Sequence, residues 1–210
     1  MSPLKIKICG LTRAGDVDAA VAAGADAVGF VFYPHSPRYV SPRTAAALAR
    51  RLPPLVSVVG LFVNADAGDI AATLAAVPLN LLQFHGDESP VECERWQRPY
   101  IRAARITPEM DLPRYARRFS GARALLLDAF AEGYGGGGKT FDWSLIPPEL
   151  TLPIILSGGL RPENVGEAIR RTRPAAVDVS SGVESAKGAK DAKRIAAFIT
   201  AARDAAANLP

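Results

Sequence analysis

The sequence has few of the features that mark secreted, membrane-spanning or disulfide-stapled proteins. Its two cysteines, Cys9 and Cys93, lie far apart without metal-ligand spacing, so neither a disulfide framework nor a cysteine metal site is expected. The longest apolar runs, such as residues 27–33, are far shorter than the ~20 residues that span a bilayer. The first residues alternate lysine with apolar residues and contain no signal-peptide core. We therefore expect a cytoplasmic protein with no membrane partner, no metal and no cofactor.

The composition also lacks the bias of disordered or nucleic-acid-binding chains. Of 210 residues, 49% are hydrophobic and 22% are charged, which is ordinary for a globular protein. A chain of this mass can bury about 70% of its surface in one core. The net charge is +4, but the basic residues are scattered and no DNA- or RNA-binding signature is present. These values argue against nucleic acid as a partner and favour a small anionic ligand.

Apolar runs rich in Val, Ile and Leu alternate with one-faced helical stretches along the whole chain. The predicted strands begin near Leu4, Asp26, Leu55, Leu79, Tyr100, Arg123, Leu152 and Ala175. Ser41-Pro42 and Ser89-Pro90 place a capping hydroxyl before a proline and so predict helix starts. The alternation indicates a parallel sheet, either doubly wound or closed. Eight units without a linker favour the closed form, a single-domain (β/α)8 TIM barrel over residues 1–210.

Polar residues follow five of the apolar runs, at the predicted carboxyl ends of strands. They are residues 9–12, 83–86, 128, 157–159 and 178–182. One polar residue at a strand end needs no explanation beyond contact with solvent. Because (β/α)8 barrels place their chemistry at the carboxyl ends of the strands, five such segments favour an active site on one rim.

Side-chain alternation makes a separate prediction about the barrel interior. If Cys9 faces the barrel axis, Lys7 and Lys5 face it too, whereas Leu4, Ile6 and Ile8 face the helices. Ser180 and Asp178 share the axis side of the eighth strand, which lies beside the first in a closed barrel. A buried lysine is costly unless it is paired, so we predict a Lys7–Asp178 ion pair. The alternative is that Asp178 accepts backbone N–H groups of the following loop.

Seven ordered segments resemble those of the phosphoribosylanthranilate isomerase family of tryptophan biosynthesis, and the resemblance covers nearly the whole chain. They are residues 7–12 (KICGLT), 29–32 (GFVF) leading to 36–40 (SPRYV), 60–64 (GLFVN), 83–86 (QFHG), 138–143 (GKTFDW), 157–160 (SGGL) and 178–184 (DVSSGVE). One departure is Gly137, where the family often carries a hydroxyl residue. The resemblance implies an isomerase that performs an Amadori rearrangement, opening the ribose ring of its substrate and forming an aminodeoxyribulose phosphate.

The reaction needs one acid and one base, and the resemblance assigns Asp128 as the acid and Cys9 as the base. A carboxylic acid beneath an apolar strand can keep its proton near neutrality. Cys9 lies just before a helix expected to start near Thr12, so we expect a lowered pKa and a thiolate. Cys93, on a predicted outer helix, is expected to be a buried apolar residue.

The substrate carries a phosphate and an aromatic carboxylate, so two anion sites are expected. The substrate-binding candidates are Arg38, His85, Ser157, Gly158, Gly159, Asp178, Ser180, Ser181 and Gly182. Glycine and serine after the last two strands are typical of a phosphate grip, and Arg38 resembles the family arginine that meets the carboxylate. His85 either lines the aromatic pocket or satisfies a hydrogen bond at its strand end. The expected partner is a phosphoribosyl small molecule, bound by a monomer or a homodimer.

Residues 133–140 match the phosphate-binding pattern of nucleotide-dependent enzymes, GxxxxGK[ST]. That motif needs a substantial helix after the loop, whereas Pro147-Pro148 leaves room for only a turn or two, so ATP or GTP binding is not expected. Two other interpretations are a lyase or indole-forming synthase on the same scaffold and a catalytically silent phosphoribosyl-binding barrel. A synthase would carry lysines at strand ends, and the presence of both Cys9 and Asp128 argues against a silent barrel.

Overall fold

Strands and helices alternate through the computed structural model, which describes residues 3–130 and 140–209. The barrel strands are β1 Lys5–Cys9, β2 Ala27–Val31, β3 Ser57–Phe62, β4 Leu81–Phe84, β5 Tyr100–Ile106, β6 Ala124–Ala129, β7 Ile154–Leu156 and β8 Ala176–Val179. The helices are α1 Ala14–Ala22, α2 Pro42–Ala49, α3 Ala67–Ala76, α4 Pro90–Glu94, α5 Leu112–Arg118, α6 Val165–Thr172 and α7 Ala192–Ala207. Each strand begins within two residues of its predicted start.

The eight strands pair in sequence order, all parallel, and β8 returns to β1 to close the sheet. The predicted single-domain (β/α)8 barrel is therefore confirmed. At the closure Lys7 lies directly opposite Asp178 in register. Parallel strands bring all their carboxyl ends to the same end of the barrel, which is where the candidate residues gather.

Apolar clusters on both faces of the sheet confirm the predicted alternation of side chains. The inner cluster fills the barrel with Val59, Ile101, Ala103, Ala124, Leu126 and Ile155. Two outer clusters lie between sheet and helices, and in the larger one Leu4, Ile6 and Ile8 pack with residues of α1 and α7. Lys5, at the amino end of β1, has a side chain that is 61% exposed and pairs with Asp26 at 3.1 Å.

Helix starts follow the capping signals in the sequence. Ser41 accepts a hydrogen bond from the Thr44 N–H before α2, and Ser89 forms a reciprocal capping box with Glu92 before α4. Cys93 is fully buried on α4, as expected. In the described part of the chain, no helix is both long enough and apolar enough to cross a membrane.

Two connections depart from a regular strand–helix repeat. After Thr140 the chain forms only a three-residue 3-10 turn, Trp143–Leu145, before Pro147. A nucleotide-binding loop would need a full helix there; residues 133–139 of that motif lie outside the described residues. After β8 the chain forms a 3-10 turn, Ser181–Val183, and a short antiparallel hairpin of β9 Glu184–Ala186 and β10 Ala189–Lys190. The sequence patterns did not predict this hairpin.

Candidate active site at the carboxyl ends of the strands

The candidate acid and His85 contact each other on the rim. Asp128 lies in β6, and its Oδ2 is 3.2 Å from Nε2 of His85, which directly follows β4. The other carboxylate oxygen accepts the Ala129 N–H at 2.9 Å. The side chains of Asp128 and His85 are 13% and 8% exposed. His85 therefore makes a strand-end hydrogen bond, and its partner is the proposed acid.

Gln83, two residues before His85 in β4, supports the ring from inside the barrel. Its Nε2 is 3.1 Å from His85 Nδ1, and its buried Oε1 has no partner among the described residues. Because the amide Nε2 can only donate, His85 Nδ1 accepts from Gln83 in this orientation. The ring proton then lies on Nε2, which donates to Asp128 Oδ2.

Cys9 ends β1 and lies above a buried ionic network. Lys7 Nζ donates to Asp178 Oδ1 at 2.7 Å, and both side chains are nearly inaccessible. Ser157 Oγ donates to the second Asp178 oxygen at 3.2 Å. The predicted Lys7–Asp178 ion pair is therefore confirmed, and among the described residues Asp178 accepts only from the side chains of Lys7 and Ser157.

The expectation of a lowered pKa for Cys9 is wrong for this structure. Burial raises the pKa of the Cys9 thiol, and the nearby charges of Lys7 and Lys190 only partly oppose that rise. The helix expected to start near Thr12 begins two residues later, since α1 starts at Ala14. Cys9 is also only 4% exposed, and this burial cannot be read from the sequence.

Arg38, in the loop after β2, is held by a carboxylate from the hairpin after β8. Its Nε and Nη2 donate to the two oxygens of Glu184 at 2.7 and 2.9 Å. Lys190 Nζ also reaches Glu184, at 2.9 Å, and donates to the carbonyl and hydroxyl oxygens of Ser180. Burial opposes ionisation of Glu184, but the hydrogen bonds and charges of Arg38 and Lys190 hold its pKa below the usual value.

This pairing uses one side of the Arg38 guanidinium and leaves the other for a ligand. A guanidinium carries five N–H donors arranged as a rigid fork. Nε and one Nη2–H face Glu184, and no hydrogen bond joins Nη1 to another described residue. The Nη1–Nη2 edge can therefore donate two hydrogen bonds to a second carboxylate while Glu184 stays bound.

The loop after β7 carries the predicted glycines in conformations that favour glycine. Gly158 and Gly159 have φ values of +76° and +63°, a region that other residues adopt at a cost. Their backbone N–H groups make no hydrogen bond to the described residues. Ser157 differs, because its N–H donates to Leu127 and its hydroxyl to Asp178. Ser157 and Asp178 therefore face the barrel interior, whereas the N–H groups of Gly158 and Gly159 have no partner within residues 3–130 and 140–209.

Three residues of the site were not among the sequence candidates: Gln83, Glu184 and Lys190. Gln83 and Glu184 stood inside the motifs that carry the family resemblance but had no role assigned. Glu184 had no assigned role, because the burial of Arg38, which makes an acidic partner necessary, cannot be read from the sequence. Lys190 had no local signal, because it reaches Ser180 only through the unpredicted hairpin.

The closed barrel and its polar rim define this chain as a (β/α)8-barrel enzyme. Residues 6–201 match the model of the family described as N-(5'phosphoribosyl)anthranilate (PRA) isomerase. The chain belongs to that family and is an isomerase.

Individual relatives agree with this assignment. The N-(5'-phosphoribosyl)anthranilate isomerase of Dechloromonas aromatica is 62% identical over 201 residues, covering 96% of this chain and 97% of the relative. The crystal structure of the Thermotoga maritima isomerase is 45% identical, with a TM-score of 0.88 over 96% of this chain and 99% of that one. A structure of the enzyme in complex with reduced 1-(o-carboxyphenylamino)-1-deoxyribulose 5-phosphate is 42% identical, covers 96% of this chain and 99% of that one, and has a TM-score of 0.85. A 3-hexulose-6-phosphate synthase from Salmonella typhimurium shares the fold at 16% identity and a TM-score of 0.72.

Proposed function

We propose that this enzyme converts N-(5'-phosphoribosyl)anthranilate to 1-(2-carboxyphenylamino)-1-deoxyribulose 5-phosphate, a step of tryptophan biosynthesis. Asp128 is the general acid and Cys9 the general base of the Amadori rearrangement. The family match supports the substrate. The observation that best supports the acid is the contact between Asp128 and His85 on the rim, since it gives the carboxyl group a fixed position and a proton partner.

In the first step Asp128 delivers a proton to the ring oxygen of the ribose as the C–O bond breaks. The nitrogen lone pair of the anthranilate forms the iminium that replaces that bond. Gln83 Nε2 faces Nδ1 of His85, and Nε2–H of the same ring donates to Asp128 Oδ2. These contacts fix the position of the carboxyl group on the rim, where it faces the substrate.

In the second step Cys9 removes a proton from the carbon next to the iminium, and the resulting enolamine becomes the ketose. The base must be the thiolate, because the neutral thiol has no basicity to use. Burial disfavours the thiolate, whereas Lys7 and Lys190 favour it. The balance between these effects sets the fraction of enzyme that can react.

The two anionic groups of the substrate are bound by different loops of the rim. The phosphate is bound by the N–H groups of Gly158 and Gly159 and by the turn of Ser180, Ser181 and Gly182. The anthranilate carboxylate binds the open edge of Arg38, whose orientation Glu184 fixes. Ser157 and Asp178 support this rim from within the barrel.

The test is the loss of phosphoribosylanthranilate fluorescence when the purified protein is added. We expect loss that saturates with substrate and scales with protein concentration. Fluorescence that decays no faster than in buffer would contradict the proposed function. A cytoplasmic location, a monomeric or homodimeric state and independence from cofactor and metal stay predictions.

A further inference from the structure

Lys7 is a cation inside the barrel, below the base and on the same face of the same strand. It lies two residues before Cys9 in β1, so both side chains project toward the axis. Lys7 Nζ forms its ion pair with Asp178 on this face, and its charge acts on the neighbouring Cys9. Gly29 of β2 confirms the proximity, since a Cβ there would lie 2.7 Å from Cys9 Sγ and 3.2 Å from Lys7 Cε.

An ion pair alone is a weak reason to bury a lysine. Replacing a buried pair by apolar side chains of similar size is often neutral or stabilising, and the barrel interior below this level is filled with such residues. The pair also lies under the rim and not at the amino end of the barrel, where Lys5 reaches solvent. The position of the Lys7–Asp178 pair is therefore better explained by the thiol of Cys9, which lies directly above Lys7.

We propose that Lys7 is a positioning residue that stabilises the thiolate of Cys9, and that Asp178 limits this effect by holding the same ammonium group. This inference rests on the proposed role of Cys9 as base. An ammonium group carries three N–H donors, so Lys7 can donate to the thiolate while it still holds the carboxylate. As Cys9 loses its proton, the ammonium group lies between two anions, and its attraction to the sulfur strengthens at no cost in reorganisation.

The other charges around Cys9 are Lys190 from the hairpin after β8 and Arg38 from the loop after β2. Both are already bound by Glu184. Lys7 has only Asp178 as its carboxylate partner in the described part of the chain. Lys7 and Asp178 are therefore the pair whose replacement should move the titration of Cys9 in opposite directions.

The experiment follows the Cβ chemical shift of isotope-labelled Cys9 against pH, in a Cys93→Ala background that removes the other cysteine signal. Lys7→Met should raise the titration midpoint by about one pH unit or more, which is a tenfold loss of thiolate at any pH below it. Asp178→Asn should lower the midpoint, because it frees the ammonium group for the thiolate. Lys5→Met is the matched control, since Lys5 lies on the same strand in solvent, and should leave the midpoint unchanged.

A purely structural role for Lys7 makes a different prediction for the double variant Lys7→Met/Asp178→Asn. This variant leaves no buried charge, so it keeps the fold testable if Lys7→Met alone does not fold. If Lys7 only neutralises Asp178, the double variant returns to the parent midpoint. If Lys7 stabilises the thiolate, the midpoint of the double variant stays above that of the parent, because the effect of Lys7 on Cys9 exceeds the opposing effect of Asp178. The proposal is overturned by a parental midpoint in the double variant, or by an Asp178→Asn midpoint that does not fall.

This titration needs no enzymatic turnover, so it separates two possible failures. The acidic limb of kcat/KM against pH should shift with the midpoint in each variant if Cys9 is the base. A midpoint that moves while the kinetic limb stays fixed supports the Lys7 interaction and contradicts the role of Cys9. A fixed midpoint contradicts the Lys7 interaction whatever the activity.

Discussion

Glu184→Gln tests whether the carboxylate of Glu184 holds both Arg38 and Lys190 in place at the rim. Glu184 is 6% exposed at its side chain and accepts hydrogen bonds from Arg38 and Lys190. The substitution leaves two buried cations facing a neutral amide. Breaking a buried pair typically costs 3–5 kcal/mol. We expect a loss of about 3 kcal/mol in the free energy of unfolding, since the amide oxygen still accepts one hydrogen bond.

The assay is urea unfolding followed by circular dichroism at pH 7, with Glu167→Gln as a matched control. Glu167 pairs with Arg171 on the surface of α6, where its side chain is 59% exposed. That substitution should change stability by less than about 0.5 kcal/mol. Equal stability of the two variants would refute the reasoning.

The pH dependence gives a second check on Glu184. Its pKa in the folded state is below the usual value, so its stabilising effect is complete above the unfolded carboxyl pKa of about 4.3. The effect is lost as pH falls through the lower, folded-state pKa. The difference in stability between the parent and Glu184→Gln should therefore be constant near neutrality and shrink below about pH 4. A difference that persists unchanged at pH 3 would contradict this account.

Two further substitutions test other parts of the site. Arg38→Ala should raise KM for phosphoribosylanthranilate more than it lowers kcat, because its target carboxylate is remote from the bonds that change; steady-state fluorescence kinetics measures both, and a fall in kcat at constant KM would refute this role. Lys7→Ala should cost about 3–5 kcal/mol in urea unfolding because it strands Asp178 in the barrel, whereas Lys5→Ala, at an exposed position, should cost less than about 0.5 kcal/mol. Similar losses in the free energy of unfolding for both variants would contradict the claim that the buried Lys7–Asp178 pair contributes more to stability than the exposed lysine.

The features that could be predicted from the sequence follow from the two-residue repeat of strands, from local capping signals and from closure of the sheet. Side chains alternate between the two faces of every strand. Once a closed barrel was inferred, Lys7 in β1 and Asp178 in β8 were therefore expected to point toward the axis next to each other. Capping residues such as Ser89 act on the next turn of helix and were equally predictable. The carboxyl-end location of the rim follows from the parallel arrangement alone.

The features that were missed depend on how loops pack in three dimensions. The hairpin β9–β10 is too short to have a periodic pattern, and it brings Glu184 and Lys190 to Arg38 across more than 140 residues of sequence. The pKa of Cys9 was predicted in the wrong direction because a helix start can be read from sequence but burial cannot. The contact between His85 and Asp128 joins β4 to β6, strands that are not neighbours in the sheet, and no local pattern encodes it.

Parallel kinetics of Cys9→Ala and Asp128→Asn test the central claim most directly, with binding of reduced 1-(o-carboxyphenylamino)-1-deoxyribulose 5-phosphate measured on the same samples. If the two residues are the base and the acid, each substitution lowers kcat by at least about 100-fold. The analogue should still bind within a few-fold of the parent, because neither residue belongs to the phosphate or carboxylate grip. Near-normal kcat in Asp128→Asn, with the variant folded and binding the analogue, would contradict the account.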